Sequence, residues 1–149
     1  MQFAKLILKR LQDQDPKKVI SQLSQEIAVM ESNYSFTGLL IDASEVSNFK
    51  IATIPKIRKP NGEVIYPKDS LLAGSQLSRR PVSYDFDVND AIQNDRVAIN
   101  PLVIKAESTY QLRTSDLIIS EKNANAISSN PALLKSIGQA GVMIVVADN

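Results

Sequence analysis

Three groups of side chains in this chain have types and spacings that could do chemistry. Asp85, Asp87 and Asp90 alternate along Tyr84-Asp85-Phe86-Asp87-Val88-Asn89-Asp90, and carboxylates so placed are the ligands that oxygen-preferring cations take. The spacing lacks the third ligand two residues on, the bend glycine and the distant Glu of an EF-hand loop. The expectation is therefore solvated loop acids, or Asp90 as the cap of a short helix through Ala91-Ile92, rather than a metal site. The second group is basic: between residues 50 and 68, Lys50, Lys56, Arg58, Lys59 and Lys68 face only Glu63, and Arg79-Arg80 follow. Such a patch can contact an anionic or protein partner, or can simply discourage pairing at a sheet edge. Lys56, Arg58, Lys59, Arg79 and Arg80 are the expected partner-binding residues. The third is Asp42, at the carboxyl end of a strand-like apolar run, where ligands of open α/β sheets gather; its competing role is to cap the turn Asp42-Ala43-Ser44-Glu45.

Absent residue types remove several chemistries. The chain has no Cys, His or Trp, which excludes disulfides, thiolate nucleophiles, zinc sites of the Cys/His kind and an imidazole base. The five glycines, Gly38, Gly62, Gly74, Gly138 and Gly141, stand apart, so no phosphate-cradling loop is formed and no cofactor is expected. Ser and Lys leave a Ser-Lys pair open, although no motif marks one. With 17 basic and 16 acidic side chains the formal charge is +1, which gives no general pull toward nucleic acid or membrane. No apolar run approaches the roughly 20 residues that span a bilayer. Basic residues within and after the first apolar stretch do not make a secretory signal, and a cytoplasmic location is expected.

The elements that would position these groups follow from periodicity. The 149 residues fit one domain of α/β class. Phe3, Leu6, Ile7, Leu8 and Leu11 suggest a strand, with helix as the competing reading. Asp15-Pro16 starts a helix whose Ile20, Leu23, Ile27 and Met30 form one apolar stripe, and Leu39-Leu40-Ile41 reads as a strand covered on both faces. This is the order of a parallel βαβ unit. At the other end, Asn130 caps a helix that begins with Pro131, buries Leu133, Leu134 and Ile137, and stops at Gly141; Val142–Val146 then forms a buried strand. Between them, residues 47–120 form a β-rich insert that holds five of the seven prolines. Lys59-Pro60-Asn61-Gly62-Glu63 predicts a hairpin turn, and Val97–Ile104 and Leu117–Ile119 are further strand candidates. Strands that hold Pro55, Pro67 or Pro101 belong at sheet edges or end there.

The runs Phe3–Leu8, Asp15–Ile27 and Phe36–Ser44 together resemble the N-terminal domain of the septum-site protein MinC, with Pro131–Val146 supplying the closing helix and strand. Many βαβ units, including STAS domains, share this pattern. The resemblance implies a non-enzymatic interaction protein that opposes assembly of the tubulin-like division protein FtsZ, and no functional residue maps onto it. A simple α/β frame, a large insert and few catalytic side-chain types favour a protein-interaction or assembly module. Its protein partner could be a second copy of the chain, as in a subunit of a phage or secretion-type particle. An enzyme using Asp, Lys or Ser alone is the weaker alternative.

Overall fold

Leu39, Leu40 and Ile41 are completely buried, as a continuous apolar run in a parallel strand requires. The computed structural model describes residues 35–73 and 80–147. In chain order its elements are β1 (Gly38–Asp42), β2 (Ile57–Arg58), β3 (Val64–Tyr66), α1 (Asp69–Ala73), β4 (Ser83–Asp85), α2 (Val88–Ile92), β5 (Pro101–Lys105), β6 (Ser108–Tyr110), β7 (Arg113–Ile118), α3 (Glu121–Ser128), α4 (Pro131–Ile137) and β8 (Val142–Val145). The strand expected at Phe3–Leu11, the helix expected from Pro16 and its stripe of Ile20, Leu23, Ile27 and Met30 lie outside the described residues. So do the runs Phe3–Leu8 and Asp15–Ile27 of the expected MinC-like pattern; its other two runs, Phe36–Ser44 and Pro131–Val146, are β1 with its flanks and α4 followed by β8.

The described strands form two four-stranded sheets, ordered β4-β8-β1-β5 and β3-β2-β7-β6. The first is parallel throughout: β1 pairs with β8 from Leu39↔Val142 to Asp42↔Val145 and with β5 from Gly38↔Pro101 to Asp42↔Lys105, and β4 pairs with β8. The most apolar strands, β1 and β8, take the centre. The two edges come from inside the 47–120 segment, which also supplies the whole second sheet. Pro101 opens edge strand β5, and Pro67 follows edge strand β3, where a missing N–H costs no central ladder bond.

Alternation along β1 and β8 divides the core in two. Leu40, Met143 and Val145 pack with Ala91 and Val97 and with the partly buried Val88 and Ile92, so α2 covers one face of the first sheet. Leu39, Ile41, Val142 and Ile144 point the other way, into a larger cluster with Ile57, Leu117, Ile127, Leu133 and Ile137. That cluster joins the first sheet to α3, α4 and the second sheet.

Local sequence explains the joints. In the β2–β3 hairpin the Lys59 N–H donates to the Glu63 carbonyl (2.9 Å) and the Gly62 N–H to the Lys59 carbonyl (2.8 Å), with Gly62 at φ +92°, a conformation open to glycine. The Asn130 side chain accepts from the Leu133 N–H at 2.9 Å and Pro131 opens α4, as expected.

Several expectations are corrected. Leu134 is 44% exposed, because the buried stripe of α4 runs through Leu133 and Ile137 alone. Gly138, not Gly141, is the C-cap of that helix. Val97 is not in a strand: Asn94 Oδ1 takes the Arg96 N–H (2.9 Å) and the Asn94 carbonyl takes the Val97 N–H (3.0 Å), so the chain turns before β5 begins at Pro101. The strand expected at Leu117–Ile119 is β7, which starts at Arg113 and pairs with β2 and β6. Helix α3 has no counterpart in the periodicity reading; Ser120 caps it by accepting the Asn123 N–H.

Candidate functional site

Asp42 marks the correct end of the sheet but not a reactive group. Its Oδ1 accepts the Ser44 N–H at 3.0 Å and the Ser44 hydroxyl at 2.6 Å, which shapes the turn after β1. Beyond that turn lies a cavity of about 540 Å³ at the carboxyl ends of β1, β4 and β8, the position where open parallel sheets hold ligands. Ser44 and Glu45 after β1, Phe86 after β4, Val146 after β8, and Phe49 and Ile51 line it. Phe86 is 59% and Ile51 57% exposed, so two large apolar side chains stand in water at its rim.

The wall containing Phe49 and Ile51 is tied to both sheets. Asn48 Nδ2 donates to Thr109 Oγ1 (2.9 Å) and the Lys50 N–H to the Thr114 carbonyl (2.9 Å), in the second sheet. In the first, the Tyr84 hydroxyl donates to the Ala52 carbonyl at 2.6 Å and accepts the Ala52 N–H at 3.2 Å. The Phe49 and Tyr84 rings lie 6.2 Å apart. Burial raises the pKa of the Tyr84 phenol above its ordinary value, against the smaller opposing effects of the Ala52 hydrogen bond and the Arg80 charge. Glu45 Oε2 is 3.5 Å from Lys105 Nζ, but both side chains are exposed, and such a pair contributes little.

The acidic run is occupied locally. Asp85 Oδ1 accepts the Phe86 N–H (2.7 Å), and Asp87, rather than Asp90, caps α2 by accepting the Asn89 and Asp90 N–H groups. Asp90 lies in the first turn. Among the described residues no three acidic side chains converge as metal ligands.

The basic residues are only partly gathered. Lys56, Arg58 and Lys59 share the β2–β3 hairpin, but Arg58 turns inward: its Nε lies 3.0 Å from Asp116 Oδ2, its Nη1 donates to the Gly62 carbonyl at 2.8 Å, and its guanidinium sits 4.4 Å from the Tyr110 ring centroid. Lys59 pairs with Glu63 at 3.1 Å. The Lys56 N–H donates to Asp116 Oδ1 (3.1 Å). Arg80 is exposed, with its carbonyl held by Arg96 Nη1, and Arg79 lies outside the described residues. Sequence reasoning missed Ile51, Phe86 and Tyr84; its one pointer to them was the strand-end position of Asp42.

Residues 38–148 match the family described as the second domain of Treponema pallidum Tp0624. The chain belongs to this family. A comparison with curated proteins gives no match. The match to the Tp0624 second domain begins at the first residue of β1 and runs past β8. It therefore takes in both sheets, all four described helices and the strand-end cavity. Among the described residues no helix is long and apolar enough to cross a membrane.

Proposed function

We propose that this domain is a non-enzymatic protein-interaction module whose contact surface is the strand-end cavity and its apolar rim. The observation that carries this reading is the pair Ile51 and Phe86, both more than half exposed at the edge of one cavity. Exposed large side chains around a concavity are the usual anchors of a binding surface. The nearby carboxylates of Asp42, Asp85 and Asp87 hold backbone N–H groups, which suits a shaped surface better than acid–base chemistry. The hairpin cations take a lesser part, because Arg58 is engaged internally.

The test is photocrosslinking in the native host with a photoreactive phenylalanine at position 86 and, as a control, at position 112, whose leucine is 97% exposed elsewhere. A discrete adduct from position 86 that disappears with Ile51→Glu, in a chain that melts like the parent, supports the reading. Equal adducts from both positions, or an adduct indifferent to Ile51→Glu, refute it. Adduct mass identifies a second copy of the chain if that is the partner. A Lys56→Glu, Lys59→Glu variant reports whether the hairpin cations contribute.

A further inference from the structure

Residues 47–54, of which Ser47, Phe49, Lys50 and Ile51 line the cavity, are attached unevenly. Toward its start the segment is fixed to β6 by Asn48 and to the β7 residue Thr114 by Lys50. Toward its end Ile51 and Ile54 are exposed, so little apolar burial holds them down. Between Lys50 and Lys56, the reciprocal pair between Ala52 and the Tyr84 hydroxyl is the only hydrogen-bonded anchor among the described residues. That one hydroxyl supplies both bonds, and it belongs to β4, the edge strand that leads into Phe86.

We infer that residues 47–54 are a strap along one side of the cavity, latched by the Tyr84 hydroxyl, which opens as a local unit without disturbing the two sheets. Two bonds to a single side-chain atom are made and broken together, so the strap has a closed arrangement and a released one rather than a continuum. The strands beneath it are a different case: β1 and β8 are buried throughout their central residues, and segments of that kind open only with the whole fold. Release carries Ile51 away from Phe86 and changes the rim that the proposed binding surface uses. In this the inference rests on the preceding reading, although the strap itself does not depend on a partner.

Hydrogen–deuterium exchange on the intact chain tests it. Tyr84→Phe keeps the ring beside Phe49 and removes both bonds. It is expected to speed exchange of the Lys50 amide, whose acceptor at Thr114 it leaves in place, about fivefold, the effect of losing one ordinary net hydrogen bond, while the amides of β1 and β8 exchange as in the parent. Asn48→Ala, which leaves Tyr84 intact, is expected to speed exchange of the Ala52 amide from the other end of the segment. Unchanged exchange of Lys50 in Tyr84→Phe and of Ala52 in Asn48→Ala overturns the strap. So does acceleration that extends equally to β1 and β8, since Tyr84 would then support the fold and not latch a segment. Exchange is read without a partner, so failure here leaves the crosslinking result standing, and the reverse.

Discussion

Arg58 and Asp116 are joined across neighbouring strands β2 and β7, with Nε 3.0 Å from Oδ2 and side chains only 11% and 6% exposed. The other carboxylate oxygen accepts the Lys56 N–H, and the guanidinium also reaches the Gly62 carbonyl and the Tyr110 ring. One ion pair thus ties the hairpin to β7 within the second sheet. Removing one partner leaves the other charge buried, so Asp116→Ala is expected to destabilise the fold by about 3–5 kcal/mol. Lys59→Ala, which breaks only the exposed pair with Glu63, is expected to cost less than about 1 kcal/mol. Urea denaturation of the two variants checks the contrast.

Adjacent leucines in α4 give a second contrast. Leu133 is fully buried and Leu134 is 44% exposed. Leu133→Ala is expected to cost about 2–5 kcal/mol by leaving a core cavity, whereas Leu134→Ala stays within about 1 kcal/mol. Thermal melts that fall equally would place the buried stripe of α4 wrongly.

Gly38 is required by a close approach. A Cβ there would lie 2.6 Å from the Val97 Cα and 2.7 Å from its Cβ, and Val97 is itself held by the Thr37 hydroxyl on its carbonyl. Gly38→Ala is expected to cost about 1–3 kcal/mol, as overpacking does. Val97→Ala in a double variant should not recover the loss in the same denaturation assay, because the Cα and Cβ that a Gly38→Ala methyl would meet remain in alanine.

Tyr84 predicts an alkaline effect. Its folded pKa is raised by burial, so the folded state binds the phenolic proton more tightly than the unfolded chain. The stabilisation is complete below the unfolded value of about 10 and is lost as pH rises through the raised folded value. Tyr84→Phe should therefore lose less stability than the parent as pH rises above about 10. Melting both proteins across that range measures the difference; parallel curves would show that the phenol does not titrate with folding.

The legible parts of the fold were those written in adjacent residues. The β2–β3 turn follows from Pro60-Asn61-Gly62, the start of α4 from Asn130-Pro131, and the covered strands from Leu39-Leu40-Ile41 and Val142–Val145, because turn geometry, capping and two-sided burial each act over a few positions. The same locality misled at Val97, whose apolar neighbours imitate a strand while Asn94 turns the chain, and at Leu134, where an apolar residue falls off the buried stripe.

The sequence by itself determined the α/β class, the central strands and the absence of Cys and His chemistry, since these depend on residue type and short-range period. Only the tertiary structure decided that the edges of the first sheet come from within residues 47–120 and that Arg58 turns inward to Asp116. It alone brought Ile51, Phe86 and Tyr84 to one strand-end cavity. Those relations join residues about 30 to 60 positions apart, and no local periodicity encodes which distant partners a strand or side chain will meet.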